Sequence, residues 1–537
     1  MLKTHYSILE STFKPEELIG FCKTQNQPLC LVDTGSVSGC ISTYKLCKSN
    51  DIKPILGTEI LTSHGYITLL AKNTKGWQSL VSVISKFESQ DVSNLFSKTE
   101  GLIAITGYEK STLQNLLYKD GQPNPSASTN INTYWSSLEN LFESVYCGLD
   151  DTNEECKFIK TCVDDRKIID WKPRFFSENN KANFELITKL GNHTNRSYRT
   201  GVLDDSYYIP ACITSQIEEY ELLSKPKLPK FSNNDNTLLR QLCRNGWIRN
   251  ELSKLTKIQQ DVYVARINTE LTTIEQAGLE GYFLTVHDYI WWAKNNGIMC
   301  GPGRGSSAGC LIAYLLGITS IDPIKYSLSF SRFYCAGRNT KDHISLPDID
   351  SDFMVYRRDN VIDYITNKYG SDKVSHISTF GRLQGRGALK EVLKYYGAFT
   401  NGQINSITEN IPDASKISDK LEEENEESIL RWVLRNDPDI LKEYCYFDDS
   451  GEKLEGNCAF HVGQAIQLEG VIRNRSKHAS GLIISNGVIG EMCPIVDNTA
   501  LIEMGEAEAI GLVKFDILGL SCLDKLDCAV KLIKERY

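Results

Sequence analysis

The sequence predicts a multidomain protein combining α/β and α+β folds, and three observations carry that expectation. At about 150 residues per domain, its 537 residues suggest roughly three or four domains. Within residues 1–75, short apolar runs alternate with helical stretches: "PLCLVDTGS", "GCISTYKLCKSND", "IKPILGTEI" and "YITLLAK". That order suggests a parallel α/β unit. Beyond residue 237, long helical periodicity gives way to a glycine loop and to strands that carry aspartates.

Taken in order, "GLIAITG" (101–107) reads as a further buried strand, and residues 108–200, rich in Asn, Ser and Lys, as loops and helices on the outside. "LLSKPKLPKFSNNDN" (222–236) has the proline and lysine content of a linker. From "TLLRQLCRNGW" to "VHDYIWWAKNNG" apolar residues recur every three or four positions, as in helices. The glycine loop 301–309, an aspartate strand at 347–353 and a helix over 358–369 follow. Residues 410–455 are acidic and read as surface helices, whereas "HASGLIISNG" and "AIGLVKFDILGL" are strand-like.

Composition narrows the class. Hydrophobic residues make up 41% and charged residues 24%, enough to bury ordinary cores. No stretch approaches the ~20 apolar residues of a membrane span, and the first residues lack the apolar core of a signal peptide, so a cytoplasmic chain is expected. Seventeen cysteines without a single CxxC pair argue against a zinc site and a disulfide framework. A net charge of −9 excludes a simple basic DNA-coating protein. It does not exclude nucleic acid, because affinity depends on where cations cluster.

Four constellations could carry chemistry. In "SLPDIDSDF", Asp348, Asp350 and Asp352 would share one face of a strand. A solvated acidic face, a calcium loop and a catalytic metal site compete as explanations. The calcium loop needs glycine at its sixth position, where Phe353 stands. Asp516, in the apolar run "GLVKFDILG", would be costly to bury unpaired. It offers a further carboxylate for a two-metal site of the kind that runs phosphoryl transfer, with Lys514 on its face. "GPGRGSSAG" is neither a Walker A loop nor a dinucleotide motif. Its glycines could still bring backbone N–H groups, and the start of the helix after it, to a phosphate. Arg304 and Ser306 favour that over a plain turn. Arg382, Arg386, Lys390 and Lys394 follow at i+4 and would form one basic helix stripe, suited to a phosphate backbone or merely solvated. Arg473, Arg475, Lys477 and His478 form a second basic group. Near the N-terminus, His5, Asp33 and Glu59 are spaced like metal ligands at strand ends.

Together these stretches resemble one family. "EQAGLEGYFLTVHDYIWWAKNNGIMCGPGRGSSAGCLIAYLLG", "LPDIDSDF", "ISTFGRLQGRGALKEV", "RNRSKHASGLII" and "GLVKFDILGL" resemble, in order, motifs of the bacterial DNA polymerase III alpha subunit, a C-family polymerase. The resemblance covers essentially the whole chain. It implies a PHP α/β barrel followed by a nucleotidyltransferase-type palm with an inserted, mainly helical thumb. The implied division is PHP at 1–221, a linker at 222–236, palm at 237–379 and thumb at 380–457. Residues 458–537 then return to the palm and lead towards fingers.

The resemblance implies template-directed DNA synthesis with two Mg²⁺ ions on Asp348, Asp350 and Asp516, and makes Asp352 a neighbour. It places nucleotide contacts at Gly303, Gly305, Ser306, Arg332, Arg338 and Lys514. For primer-template DNA it marks Arg386, Lys477 and His478, and the two basic groups add Arg382, Lys390 and Arg473 as expected contacts. The PHP ligand set is broken: Lys3 and Thr34 stand where histidines are expected, and Tyr207 replaces another. His5, Asp33, Glu59 and Asp205 remain, so no metal is expected there. The family continues past "KFDILGL" into fingers and C-terminal domains. A second polymerase chain is therefore expected as a partner beside DNA and dNTPs, and through it a sliding clamp. No membrane partner is expected, and the compartment would be the host cytoplasm if the gene is viral. The rival readings are a non-catalytic DNA-binding or assembly subunit and a PHP-type phosphoesterase or nuclease.

Overall fold

The computed structural model describes all residues except 64, 90–94, 120, 150–153, 191–200, 336–346, 398 and 537. The chain divides into two compact units. The first comprises Met1–Tyr220 and Phe380–Ser476, and the second Glu221–Thr379 and Lys477–Tyr537.

The first unit is built on a six-stranded sheet in the order Leu29–Thr34, Pro54–Thr62, Gly65–Ala71, Leu102–Thr106, Ser144–Leu149, Ile168–Asp170. Leu29–Val32 and Leu102–Thr106 are buried throughout, as apolar strands covered on both faces must be. Leu2 bridges both Leu31, in the first strand, and Arg174, just past the last. The sheet is thus curled towards a barrel. It is mixed rather than parallel: Pro54–Thr62 and Gly65–Ala71 form an antiparallel hairpin, and the latter also runs antiparallel to Leu102–Thr106. The expected parallel arrangement holds for the first pair and for the last three strands. Residues 108–200 are not wholly peripheral either, since they supply the strands Ser144–Leu149 and Ile168–Asp170.

The unit's remaining part is helical. Gly385–Tyr396, Asn401–Thr408, Ala414–Glu423, Ile429–Asn436 and Ala459–Leu468 enclose a core that includes Leu389, Val392, Leu430, Val433, Val462 and Ala465. The acidic segment is therefore only half a surface feature. Ala414–Glu423 buries Ile417 alone, but Ile429–Asn436 buries five side chains. The core also takes in Cys458, Val462, Ala465 and Leu468, so residues 458–471, expected in the palm, pack with these helices.

In the second unit three helices, Asp235–Arg249, Lys257–Ala277 and Glu280–Asn295, precede the glycine loop. The proposed linker is not free. Its first helix begins inside it at Asp235, Leu222 and Leu228 are buried, and the Ser224 and Lys227 amides donate to the carbonyls of Ala509 and Gly511. A second six-stranded sheet runs in the order Ile495–Val496, Thr499–Ala500, Val374–Arg382, Ile472–Ile484, Lys514–Gly519, Asp350–Phe353. The helix Arg358–Tyr369 lies where the sequence puts it. No helix among the described residues is long and apolar enough to cross a membrane.

Candidate metal and nucleotide site

The site lies where two strands pair in parallel. Lys514–Gly519 sets Asp516 opposite Asp350 on Asp350–Phe353, and in a parallel pair such partners point to the same face. Asp348 precedes its strand rather than lying within it. Three residues nevertheless converge: ligand oxygens of Asp348, Asp350 and Asp516 lie within 4.8 Å of one another.

The flanks of each aspartate explain its placement. Phe515 and Ile517 are buried and anchor the strand in the core. Asp516 is itself buried but not unpaired: Lys514 Nζ lies 2.8 Å from its Oδ2, and the Ser480 hydroxyl donates to its Oδ1 at 3.1 Å. From behind, the helix Glu280–Asn295 sends two tyrosines to the other strand. The Ile349 amide donates to Tyr282 Oη at 3.1 Å, and Tyr289 Oη lies 2.9 Å from Ser351 Oγ. The Tyr282 ring stacks on Phe515 at 5.1 Å, tying helix and both strands together.

Electrostatics shows the cost of this crowding. Burial, then the charge of Asp516, pushes the Asp348 carboxyl up to about 6. Asp350 is also raised, again first by burial. Burial opposes ionisation of Asp516 too, but the hydrogen bond and charge of Lys514, helped by Ser480, hold it below the usual carboxylate range. One carboxyl that resists ionisation beside one that favours it is the pattern of like charges sharing a site. A divalent cation would relieve that repulsion, and hard carboxylate oxygens suit Mg²⁺. The residues present therefore fit such an ion.

The glycine loop borders the same group. A Cβ on Gly305 would lie 3.8 Å from Asp350 Oδ2, and Gly303 and Gly305 have φ of +100° and +63°, which glycine adopts without strain. Ser306 is exposed. The helix after the loop does not act as expected. It spans only Leu311–Leu315, and its free amides at Leu311 and Ile312 already donate to the buried Glu270 carboxylate at 3.1 and 2.9 Å. Arg266 Nε pairs with the same Glu270 at 2.5 Å. That helix end therefore has no amides to spare for a phosphate. Arg304 reaches the aspartates instead, with Nη2 3.1 Å from Asp350 and Nε 3.2 Å from Asp352.

The other expected contacts divide. Lys514 joins the triad. Arg332 is exposed on the turn Phe330–Arg332, and Arg338 lies outside the described residues. The basic stripe is broken, because Arg382 ends the strand Val374–Arg382 and the helix begins only at Gly385. Arg386 pairs with Asp413 at 3.4 Å and donates to the Ile411 carbonyl, and Lys390 donates to Asn405. Arg473 pairs with Glu391 at 3.1 Å and Arg475 with Glu88 at 2.6 Å. Lys477 is exposed. His478 accepts the Gly481 amide on Nδ1 at 2.8 Å, and burial, then the Lys514 charge, holds its imidazole towards neutral.

In the first unit the remnant acids are already occupied. Lys3 Nζ lies 2.7 Å from Glu59 Oε2 and 2.8 Å from Thr34 Oγ1, and both Lys3 and Glu59 are fully buried. Asp33 accepts the Thr4 amide, the Thr4 hydroxyl and the Ser7 hydroxyl, each at 2.7 Å. Asp205 pairs with Gln25 at the surface, and Tyr207 Oη bonds the backbone of Cys30 and Pro28. His5, Asp33, Glu59 and Asp205 do not converge as a metal-ligand group, and a lysine ammonium cannot ligate.

Sequence reading missed Tyr282, Tyr289, Ser480 and Glu270. The tyrosines carried a signal, since their seven-residue spacing puts both on one helix face. Glu270 carried one too, since it interrupts the helical stripe of Tyr263, Ile267, Leu271 and Ile274.

Fold and site together define a protein with a curled α/β sheet in one unit and, in the other, a carboxylate-lined strand pair bordered by a glycine loop. Residues 237–519 match the family model described as the bacterial DNA polymerase III alpha NTPase domain, and residues 2–149 match the PHP domain. The chain belongs to the bacterial DNA polymerase III alpha family. Among curated relatives, DNA polymerase III subunit alpha of Ureaplasma parvum serovar 3 is 30% identical over 555 residues, which is 99% of this chain and 51% of that protein. The subunit of the same name from Staphylococcus aureus strain Mu50 is 30% identical over 97% of this chain and 47% of its own length. That of Buchnera aphidicola is 29% identical over 99% and 48%. The chain thus spans about half the length of the curated relatives it matches.

Proposed function

We propose that this chain carries the nucleotidyl-transfer centre of a replicative DNA polymerase. The observation that carries the reading is the convergence of Asp348, Asp350 and Asp516 across paired strands beside a glycine loop. Two Mg²⁺ ions on these carboxylates would supply Lewis-acid activation of a primer 3′-hydroxyl and neutralise a dNTP triphosphate. The chain's own groups do the rest. Lys514, fixed on Asp516, holds a cation at the centre. The Gly303–Ser306 backbone is proposed to approach phosphate oxygens, and Arg332, exposed on the turn Phe330–Arg332, is the proposed further cation for them. Tyr282 and Tyr289 keep the aspartate strand from shifting, so the carboxylates need no reorganisation when charge develops.

Primer-template DNA and dNTPs are the proposed substrates. Lys477 and His478 near the centre, and Arg382, Arg386, Lys390 and Arg473 in the first unit, are the proposed DNA contacts. A further chain with the portion of the relatives not matched here is the proposed partner, and a sliding clamp would be met through it. The PHP sheet is proposed to be structural, its acids satisfied by Lys3 and by hydroxyls.

Primer extension on a labelled template tests this, with the chain alone and mixed with a polypeptide covering the unmatched half of a relative. Extension by the native chain in either mixture, lost in Asp350→Asn with primer binding intact, is expected. Extension that survives Asp350→Asn overturns the site, and none in either mixture favours a non-catalytic DNA-binding role.

A further inference from the structure

Asp352 has no part in the metal triad, yet it is buried within two residues of it. Its partner is Arg304, which straddles two carboxylates: Nη2 is 3.1 Å from Asp350 Oδ1, and Nε is 3.2 Å from Asp352 Oδ2 and 3.3 Å from its Oδ1. The three side chains differ in freedom. Arg304 is 50% exposed and Asp350 25%, whereas Asp352 is only 7% exposed, so one end of the bridge is fixed and the other can open. The loop bearing Arg304 is pinned to the same strand by the Gly301 amide on the Asp352 carbonyl, and the Ser307 hydroxyl holds the Arg304 carbonyl at 2.8 Å.

The geometry points to Arg304 as a positioning residue that competes with the metal for Asp350 and is retained by Asp352 when the metal wins. This rests on the reading of the triad as the metal centre. With the triad unmetallated, the guanidinium neutralises Asp350 and keeps its carboxylate oriented. When a cation takes Asp350, the Nε contact to Asp352 keeps Arg304 beside the glycine loop. Its Nη2 donors then become available to an anion there, of the triphosphate class. The exchange of one cation for another also explains why an aspartate outside the triad is kept buried beside it: without Asp352, Arg304 would bear on Asp350 alone.

Mn²⁺ binding to the full chain without nucleotide, followed by electron paramagnetic resonance, tests this through a double-mutant cycle. Arg304→Gln is expected to tighten Mn²⁺ about fivefold by releasing Asp350, and Asp352→Asn to weaken it about threefold or more. In the Arg304→Gln background, Asp352→Asn is expected to change affinity by less than about twofold, because no guanidinium remains to redirect. Equal weakening in both backgrounds would mean through-space charge alone and would overturn the inference, as would an Arg304→Gln variant that binds no tighter. Asp516→Asn and Asp348→Asn separate the two readings. If neither loses Mn²⁺, the metal-centre reading fails. If both lose it while the cycle is additive, only the role of Arg304 fails. Circular dichroism and melting temperature confirm that each variant is folded.

Discussion

Lys3 decides what Glu59 of the first unit does. An ammonium buried against Glu59 and Thr34 satisfies that acid from within the fold, and a buried ion pair tolerates loss of one partner badly. Lys3→Met is therefore expected to destabilise the chain by about 3–5 kcal/mol, read as a lower urea midpoint. Lys3→Met combined with Glu59→Leu should recover most of it. His5 adds a pH dependence. Burial, reinforced by Arg382 and Lys14, holds its imidazole neutral down to about 3. The unfolded chain takes up that proton near pH ~6.5. The contribution is intact above that value and is lost as pH falls towards 3, by up to about 1.4 kcal/mol per pH unit. His5→Asn should make the acid limb of a melting-temperature profile shallower by about one proton, and an unchanged limb would contradict the buried neutral state.

At the scale of elements, close approaches matter more than propensity. Gly246 lies within the helix Asp235–Arg249, where alanine would ordinarily gain about 1 kcal/mol. A Cβ there would sit 1.9 Å from the Leu315 carbonyl oxygen. Gly246→Ala is therefore expected to lower the melting temperature rather than raise it. The same contrast explains what was legible. The helix Arg358–Tyr369 and the strand Lys514–Gly519 announced themselves, one by apolar spacing and one by an unbroken apolar run around a single aspartate. The strand Ser144–Leu149 did not, because a six-residue run among Asn, Asp and Glu leaves little periodicity. Arg382 was assigned to a helix because i+4 spacing persists in sequence even where a strand end and a turn intervene. The helix-end phosphate site failed for a long-range reason: Glu270, some forty residues earlier, takes those amides. Asp516 stood out because it interrupts an apolar run, and Asp348 and Asp350 because their alternation and the motif around them resemble the family's, whereas the bridge from Arg304 to Asp352 needed coordinates.

For the molecule as a whole, a net charge of −9 means that attraction to a phosphate backbone must come from local cations. Lys477 is exposed, while Arg386 is tied to Asp413 and to the Ile411 carbonyl. Lys477→Ala should reduce the slope of log affinity against log salt for primer-template DNA by about one, and Arg386→Ala by less. Equal reductions would show that Arg386 leaves its partners on binding. The two units also differ in how their acids are arranged: in the first they are satisfied singly, Glu59 by Lys3 and Asp33 by hydroxyls, whereas in the second three carboxylates converge. Iron-directed cleavage measures that difference directly. Fe²⁺ substituted for Mg²⁺, with ascorbate and peroxide, cuts the backbone next to wherever it binds, and mass spectrometry locates the cuts. Cuts beside Asp348, Asp350 and Asp516, suppressed by excess Mg²⁺ and absent beside His5, Asp33 and Glu59, are predicted. Cuts at the N-terminal acids with none at the triad would contradict the account.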